Sequence, residues 1–404
     1  MSQPEYIEIR ALGDTKLFEP IQVGPNTLNQ RIAFAPTTRR RATSDHVPVD
    51  LELDYYTKRA QAPGTLIITE ATFVSPQGSG SNYVPGIFTK EQVKGWKKIN
   101  DSIHKEKSFS SIQLWYLGRA AEPAVLKKDG LPFLGPSAIY KTEESEKAAK
   151  ESGNELRPFT IEEINRLVNE EYPNAARNAL EAGFDYFELH AAHSYAISQF
   201  FNPASNKRTD KYGGSIENRA RILLEIIDKL IPIVGANRLA VRLSPWATFQ
   251  TSEPEGEEIH SYILKELQKR SDQGNELAYI SIVEPRVSGS LDVEKDKQIG
   301  SNEFANKIWK GKFIKAGNYT YDAPDFKSLL EDVQDNRTLI GFSRFFTSNP
   351  DLVSRLKNGY PLLKYDRAVF YDQDNWGYNT YNNYDEQKTF DENRERNRYG
   401  LALA

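Results

Sequence analysis

The chain alternates short apolar runs with longer stretches in which apolar positions recur at helical spacing. The apolar runs are rich in β-branched residues and end in turn or polar residues, a pattern that predicts buried strands. Eight such runs occupy 31–38, 65–74, 109–115, 186–193, 239–245, 278–285, 312–318 and 338–344. The stretches between them predict helices, among them 50–60, 91–106 and 161–183. The order strand, helix, strand is kept throughout.

Regular alternation of strands and helices favours a parallel sheet, and eight units of this size favour closure into an α/β domain of the (β/α)8, or TIM-barrel, type. An open dinucleotide-binding sheet is the main alternative, and it requires a GxGxxG turn after its first strand. Here the first strand ends in Ala35, Pro36, Thr37 and Thr38. The sequence therefore predicts a single barrel domain over residues 1–404.

Two segments fall outside the repeating pattern. Residues 116–160, between the third and fourth predicted strands, are rich in Gly, Pro, Lys and Glu. They are too long for a simple crossover, and we interpret them as an insertion at the barrel mouth that forms either part of a lid or a surface excursion. Residues 379–404 are rich in Asn, Tyr, Glu and Arg. This composition indicates a packed or partly disordered tail rather than a second domain.

The charge balance argues against polyanionic partners. Lys and Arg number 52, Asp and Glu 56, and the formal net charge is −4, so we expect neither nucleic acid nor a membrane as partner. The strongest basic cluster, Arg39 to Arg41, is interpreted as a solvated loop or a phosphate-side patch. The lack of cysteine excludes disulfides, thiolate metal sites and a cysteine nucleophile. No signal segment and no apolar run of roughly 20 residues is present, which favours a cytoplasmic protein.

Polar residues interrupt or close the predicted strands at the end where barrel enzymes carry their chemistry. They are Thr38, Gln113, His190, His193, Arg242, Asn318 and Arg344. Two of the chain's five histidines fall in the motif HAAHSY, which also contains Tyr195. Donors from His190 and His193 could converge on one oxygen, and Tyr195 could supply a proton.

Three other interpretations of this motif remain open on the residues alone. The histidines could be a structural pair that caps the strand end. A metal site would use Glu188, His190 and His193, with Glu284 as the candidate that completes the set. A glycosidase needs two facing carboxylates, and it is disfavoured because the seventh strand ends in Ala-Gly-Asn.

A flavin would account for the polar residues of the remaining strands. Arg242 interrupts an apolar strand, and a buried cation requires an anion or a strong acceptor, such as the N1 and O2 region of a reduced flavin. Gln113 suits the N3 and O2 edge, and Thr38 could donate to O4. Gly317 and Arg344 match the phosphate corner of many barrels and would hold FMN. The alternative for each residue is satisfied core polarity or an ordinary turn.

Longer segments make the assignment more specific. They include APTTRRRA, GTLIITEATFVSPQ, IQLWYLGRAA, FELHAAHSY, NKRTDKYGGSIENRARILLEII and LIGFSRFFTSNPDLV. In these motifs, and over about residues 15–380, the chain resembles the old yellow enzyme family of FMN-dependent ene-reductases, particularly its yeast branch.

This resemblance implies roles for individual residues. Those expected to contact the isoalloxazine are Pro36, Thr38, Ala71, Gln113 and Arg242. Those expected at the ribityl phosphate are Gly317, Asn318, Ser343 and Arg344. His190 and His193 would hold the carbonyl oxygen of the substrate, and Tyr195 would protonate the carbon alpha to it. Those expected to line or border the substrate pocket are Thr37, Tyr83, Trp115, Leu291 and Tyr378.

The same resemblance implies a reaction. NADPH, or alternatively NADH, would reduce non-covalently bound FMN, and flavin N5 would pass hydride to the β-carbon of an α,β-unsaturated carbonyl or a nitroalkene. Phenols would bind the same site, and a homodimer is compatible with the resemblance. Two departures affect the pocket, since residues 194–200 read SYAISQF where relatives commonly have GYLLDQF, and Ser343 replaces a frequent glycine. The alternative from another class is a flavoprotein that binds phenols as a sensor or scaffold without turnover.

Overall fold

Eight parallel strands close on themselves in the computed structural model, which describes residues 5–404. In chain order they are Ile32–Phe34 (β1), Leu66–Phe73 (β2), Phe109–Trp115 (β3), Tyr186–Ala191 (β4), Leu239–Leu243 (β5), Tyr279–Val283 (β6), Phe313–Ala316 (β7) and Thr338–Phe342 (β8). Ile340 of β8 lies opposite Ile32 of β1, and this pairing closes the barrel. All eight strands coincide with the predicted apolar runs, so the (β/α)8 fold is confirmed.

Helices cover the outside of the barrel, and the strands are therefore buried on both faces. All eight residues of β2, for example, are buried. The longer helices are Asp50–Ala60, Lys90–Lys105, Tyr172–Glu181, Ile216–Val234 and Glu257–Asp272. The shorter helices outside the insertion and the tail are Ile161–Arg166, Ala196–Phe201, Glu303–Ile308, Lys327–Asp332, Arg344–Ser348 and Leu352–Asn358. Within residues 5–404, no helix combines the length and apolar character needed to cross a bilayer.

Local sequence chemistry determines where the helix Lys90–Lys105 begins and which face it buries. Thr89 Oγ1 accepts a hydrogen bond from the Gln92 amide at 3.2 Å. Gln92 Oε1 in return accepts one from the Thr89 amide at 3.1 Å, which completes a capping box. Trp96 is fully buried against the barrel, and its indole N–H donates to the Gly86 carbonyl at 3.1 Å.

The helix predicted over 161–183 is interrupted. A π-helical turn, Leu167–Glu171, separates Ile161–Arg166 from Tyr172–Glu181, and the Tyr172 amide bonds to the carbonyl of Leu167. Pro173 explains the break, because proline has no N–H to donate and its ring clashes with the carbonyl four residues earlier. A wider turn immediately before the proline accommodates both effects.

The insertion at 116–160 has secondary structure of its own. It contains the helices Pro123–Lys128 and Glu143–Ser152, and the two-residue strands Leu134–Gly135 and Arg157–Pro158 pair in parallel. Its apolar side chains form one buried cluster with Phe73 of β2 and Trp115 of β3; they include Leu126, Phe133, Ala149 and Leu156. The insertion therefore packs against Trp115, the last residue of β3.

A hairpin of Ile21–Val23 and Asn26–Leu28 covers the amino-terminal end of the barrel. Tyr186, the first residue of β4, donates its hydroxyl proton to the Val23 carbonyl at 2.7 Å. Its hydroxyl oxygen also accepts from Asn26 Nδ2 at 3.1 Å. The open cavity of the barrel accordingly lies at the opposite end, where the strands end.

The expectation that Arg39 to Arg41 form a solvated loop is wrong for Arg39 and Arg41, whose exposed fractions are 1% and 2%. Arg39 Nη2 donates to the Gly377 carbonyl at 2.8 Å, and Arg41 Nη1 donates to the Phe370 carbonyl at 2.7 Å. Main-chain carbonyls thus satisfy guanidinium groups that would otherwise be costly to bury. These contacts join the loop after β1 to the segment 369–377.

The chain beyond residue 379 also contacts the barrel domain. Asn379 Nδ2 donates to the Leu51 carbonyl at 2.9 Å, and Ala402 forms a bridge with Val49. A short helix, Glu392–Arg396, lies between these contacts. The carboxyl-terminal segment therefore rests on the amino-terminal end of the helix Asp50–Ala60.

Candidate active site at the carboxyl ends of the strands

One cavity opens at the carboxyl ends of the barrel strands, and most of the predicted site residues line it. The lining includes Pro36, Thr37, Thr38, Ala71, Gln113, Trp115, His190, His193, Tyr195, Arg242, Gly317, Asn318, Ser343 and Arg344. They come from seven of the eight strands and the loops that follow them, which are distant in sequence. The barrel brings them together because every parallel strand ends at the same rim.

Three predicted pocket residues are not among those that line the cavity. Tyr378 is fully buried and stacks on Tyr55 at 4.2 Å between ring centres, so its assignment to the substrate pocket is corrected. Tyr83 and Leu291 have exposed fractions of 37% and 69%. Their sequence neighbours, rather than these two side chains, line the cavity; they are Ser81, Val84, Gly289 and Ser290.

Strand register places His190 and Arg242 side by side. They are partners across β4 and β5, and Glu188 lies two residues before His190 on the same face of β4. One strand over, Gln113 of β3 is the register partner of Glu188. The polar residues therefore form two layers inside the carboxyl-terminal end of the barrel. Glu188 and Gln113 lie deeper, and His190 and Arg242 lie nearer the mouth.

His193 lies just beyond β4 in a backbone conformation that side chains rarely adopt. Its φ is 55°, and that of Ser194 is 57°. Such left-handed residues are held by their surroundings. Here the His193 amide donates to Ser244 Oγ at 2.8 Å, and the Ser194 amide donates to Ser198 Oγ at 3.0 Å. This turn brings the ring of His193 to 6.2 Å from that of His190.

Both histidines are neutral at ordinary pH. Burial, with a smaller effect of the Arg242 charge, lowers the pKa of His193 from 6.5 to about 3. Burial also lowers the pKa of His190 far below its ordinary value, and His193 and Arg242 add to this effect. The Nδ1 atoms of both rings are buried and have no hydrogen-bond partner in the described chain. The rings are thus available to bind a polar ligand.

Tyr195 stands between the histidines and the aromatic wall of the cavity. Its ring is perpendicular to that of His190 at 5.0 Å, and it meets Trp115 edge-on at 4.7 Å. Burial raises the pKa of the Tyr195 phenol above its ordinary value, so the hydroxyl group keeps its proton at neutral pH. A protonated phenol beside two neutral imidazoles can donate a proton.

The residues fit the isoalloxazine and phosphate of FMN. Arg242 Nη1 is buried without a hydrogen-bond partner anywhere in residues 5–404, and an acceptor on a ligand in the cavity would satisfy it. At the phosphate corner a Cβ on Gly317 would lie 2.7 Å from Glu284 Cβ, so only glycine lets the backbone pass there. Asn318 follows with φ of 50°. Both residues directly follow β7, at the strand end where barrel enzymes commonly bind phosphate.

Two members of the phosphate corner have protein partners of their own. Ser343 has φ of −110° and ψ of −83°, outside the left-handed region that favours glycine, and its Oγ lies 2.6 Å from Thr37 Oγ1. The glycine frequent at this position is therefore not required by the backbone. Arg344 Nη1 donates to Asp292 Oδ2 at 3.1 Å. A phosphate at Arg344 would share this guanidinium with Asp292.

The geometry gives no support to a metal centre. Within the part of the chain that the structure describes, no three His, Asp or Glu side chains come together as a ligand set. Glu188 instead accepts a hydrogen bond from Gln113, and Glu284 accepts one from Asn302 at 3.2 Å.

Sequence reasoning missed several residues of the cavity wall. They are Arg40, Phe249, Arg367, Phe370 and Tyr371. Phe249 lies in the loop after β5, where the motif VRLSPWATF was a usable signal. Residues 367–371 follow no barrel strand, and neither periodicity nor a polar strand end marks them.

A closed barrel with these polar residues at its strand ends, and with a glycine-bearing phosphate corner, defines an oxidoreductase of the barrel flavoprotein class. Residues 16–362 match the model of the NADH:flavin oxidoreductase / NADH oxidase family. The chain is 64% identical over 388 residues to a probable NADPH dehydrogenase of Candida albicans, covering 96% of this chain and 95% of that protein. It is 42% identical over 388 residues to enoate reductase 1 of Kluyveromyces lactis, covering 94% and 96%.

A solved structure extends the similarity to three dimensions. The crystal structure of Old Yellow Enzyme from a Pichia species matches with a TM-score of 0.91 and 48% identity, covering 97% of this chain and all of that chain. The chain therefore belongs to the old yellow enzyme family and is an FMN-dependent oxidoreductase.

Proposed function

We propose that the protein is an NADPH oxidoreductase that reduces the activated C=C bond of α,β-unsaturated carbonyls or nitroalkenes. The observation that carries this proposal is the convergence of His190, His193 and Tyr195 on the cavity that also holds Arg242. Two relatives support it, since one is a probable NADPH dehydrogenase and another an enoate reductase.

The two histidines would bind the oxygen of the substrate. Each neutral imidazole can turn an N–H toward a carbonyl or nitro oxygen, and these donors strengthen as negative charge develops there. Withdrawal of electron density makes the β-carbon of the alkene a better hydride acceptor. Because His190 and His193 stay neutral, they would bind the substrate oxygen without gaining or losing a proton.

Tyr195 would supply the proton. Reduction of the alkene adds a hydride to the β-carbon and a proton to the α-carbon, so the phenol hydrogen balances the reaction and solvent must later restore it. When bound, FMN would supply the hydride chemistry of the reaction, and NADPH would serve as the reductant. The hydrophobic faces of Trp115 and Phe249, which both contact the Tyr195 ring, limit water at this point.

The flavin would be held without a covalent bond. Arg242 and Gln113 would face its N1, O2 and N3 edge, Thr38 its O4, and Pro36 and Ala71 the ring. The ribityl phosphate would lie at the corner formed by Gly317, Asn318, Ser343 and Arg344. NADH is a second candidate reductant, since nothing in the ring-binding part of the cavity involves the phosphate that distinguishes NADPH.

Two anaerobic steps test the proposal against a phenol-binding sensor without turnover. The purified yellow holoprotein is first bleached with NADPH and then mixed with cyclohexenone. Return of the oxidised flavin spectrum supports alkene reduction. A protein that bleaches but does not recover with any enone or nitroalkene would be the sensor or scaffold instead. Oxygen must be excluded, because it reoxidises reduced flavins as well.

A further inference from the structure

Two arginines flank one aromatic ring on the wall of the cavity. Arg40 Cζ lies 5.3 Å from the ring centre of Tyr371, and Arg367 Cζ lies 5.0 Å from it. Arg367 Nη2 also donates to the Tyr371 hydroxyl at 3.0 Å. All three residues line the cavity that contains Tyr195. Since both Cζ atoms lie near the ring centre of Tyr371, the two atoms are at most about 10 Å apart.

The position of Arg40 is imposed by its neighbours. Arg39 and Arg41 are fixed by hydrogen bonds to carbonyls of Gly377 and Phe370, in the segment that also carries Tyr371. Between these anchors Arg40 has φ of 55°, a left-handed conformation that is uncommon outside glycine. Strained residues of this kind are concentrated at functional sites. The strain here turns the middle arginine toward the cavity while its neighbours point into the protein.

Neither guanidinium is strongly neutralised by the protein. Arg40 lies 3.8 Å from Glu122, and the two side chains are 39% and 51% exposed. Such a long, exposed ion pair contributes little. Arg367 stacks on the Phe370 ring at 4.5 Å and contacts Tyr371 rather than a carboxylate. Arg344, in contrast, has Asp292 as a close partner.

Arg40 also lies close to the reacting end of the cavity, whose lining includes Arg367 as well. Burial raises the pKa of the Tyr195 phenol, and the Arg40 guanidinium is near enough to oppose that rise. A nicotinamide that delivers hydride in this cavity carries its diphosphate one ribose away from the ring. Because the whole chain has a formal net charge of −4, an anionic coenzyme needs local cations at this distance.

We propose that Arg40 and Arg367 bind the diphosphate bridge of the nicotinamide coenzyme. The proposal rests on the proposed function, because it requires a nicotinamide in the cavity. Guanidinium groups form paired, charge-assisted hydrogen bonds with phosphate oxygens, and two of them suit two linked phosphates. Since NADPH and NADH share this bridge, the pair contributes affinity for both coenzymes and does not discriminate between them.

The test uses the half-reaction in which the coenzyme reduces the flavin, since Tyr195 takes no part in it. Arg40→Gln and Arg367→Gln holoproteins are mixed anaerobically with NADPH, NADH or 1-benzyl-1,4-dihydronicotinamide, which carries no phosphate. The apparent Kd of both coenzymes should rise about 10-fold in each variant, as expected for a lost hydrogen bond to a charged group. The rate with the phosphate-free reductant should stay unchanged. Arg40→Lys keeps the charge and should lose less than Arg40→Gln.

A matched control removes one positive charge elsewhere. Arg394 has a side chain that is 82% exposed and lies outside the cavity lining. Arg394→Gln should leave all three reductants unaffected. An equal loss in this variant would mean that the effect comes from net charge, and the proposal would be overturned.

A binding measurement supplies a readout that does not depend on turnover. Calorimetry with the oxidised holoprotein compares ADP-ribose, which contains the diphosphate, with adenosine, which does not. Binding of ADP-ribose should weaken about 10-fold in both glutamine variants. Three results would overturn the proposal. The first is an equal loss of reduction by the phosphate-free reductant, and the second is no change in either variant. The third is weaker binding of NADPH alone, which would indicate a contact with its 2′-phosphate instead. If none of the three reductants bleached the wild-type flavin, the proposed function would fail, and the ADP-ribose titration would still decide the role of the arginines.

Discussion

Glu188 accepts a hydrogen bond from Gln113 Nε2 at 2.6 Å inside the barrel. Both residues are buried, with exposed fractions of 0% and 1%, and they are register partners across β4 and β3. Because a carboxylate oxygen can only accept here, the amide nitrogen of Gln113 must face Glu188 and its oxygen is left for the cavity. Glu188 therefore determines which hydrogen-bonding group Gln113 presents to the cavity.

Glu188→Gln should raise the midpoint potential of the bound flavin. The Glu188 carboxylate opposes the charge of Arg242, and its loss leaves that cation to stabilise the reduced, negatively charged ring. Burial raises the pKa of Glu188 and Arg242 opposes the rise. A shift of tens of millivolts is expected, since about 30 mV corresponds to 1.4 kcal/mol for a two-electron couple. Spectroelectrochemistry measures it, with the 78% exposed Glu303→Gln as control. An unchanged or lower potential would contradict the role given to Glu188.

Tyr195→Phe should separate the two halves of the reaction. Loss of a general acid typically costs about 10²- to 10⁴-fold in rate, so reoxidation of the reduced enzyme by cyclohexenone should slow by at least 100-fold. Reduction by NADPH needs no proton from Tyr195 and should change by no more than about 2-fold. Anaerobic stopped-flow absorbance follows both steps. Equal slowing of both halves would instead indicate that the Tyr195 hydroxyl supports the site in general and is not the proton donor.

The buried histidines should make the protein less stable in acid. The pKa of His193 is about 3 in the folded chain and 6.5 ordinarily. Between these values the unfolded chain binds a proton that the folded chain does not, so the free energy of unfolding falls as pH decreases below about 7. The slope is up to 1.4 kcal/mol per pH unit for one such group.

Thermal melting from pH 7 to 4, with saturating FMN, measures this slope in wild type and His193→Asn. The variant should show the shallower decline. His104 offers a control of opposite sign, because its hydrogen bond to Asp185 raises the pKa of His104. Its contribution is complete below about pH 6.5 and is lost as pH rises above that value, so His104→Gln should lower stability in acid without changing the slope below about pH 6.5. Parallel curves for wild type and His193→Asn would refute a neutral His193.

Gly317→Ala should weaken FMN binding. The new Cβ would lie 2.7 Å from Glu284 Cβ, and φ of 147° is itself unfavourable for alanine. The corner must shift to relieve the contact, and an increase of the FMN Kd by at least about 10-fold is expected for one displaced phosphate hydrogen bond. Fluorescence titration of apoprotein with FMN measures it. Gly130→Ala is the control, since Gly130 has φ of 71° but no atom within 4 Å of the added Cβ.

The fold was predictable because the apolar runs and the barrel strands are the same residues. β5, for instance, lies within the predicted run 239–245. The helix over 161–183 was predicted as one piece, and Pro173 explains the π-helical turn that divides it. Periodicity alone cannot show such a break, because Leu167–Glu171 keeps enough apolar residues to continue the pattern.

The site was predictable where a side chain closes a strand, as His190 and Arg242 do. It was not predictable where tertiary contacts decide. Tyr378 was expected in the pocket, but it is stacked on Tyr55 beneath the guanidinium of Arg41. Arg39 and Arg41 were expected to be exposed to solvent. In the structure they donate to main-chain carbonyls more than 300 residues away in the sequence. No local pattern in the sequence encodes those partners.

The anchoring of Arg39 and Arg41 to residues 369–377 has a consequence for biosynthesis. During translation the loop after β1 emerges from the ribosome early, while the carbonyls that satisfy its two arginines are made near the end. A nascent chain that lacks residues beyond about 366 would have an incomplete wall at Tyr371 and unsatisfied guanidinium groups at its rim. The mouth of the cavity is thus completed only after residue 377 has been made, however early the barrel itself assembles.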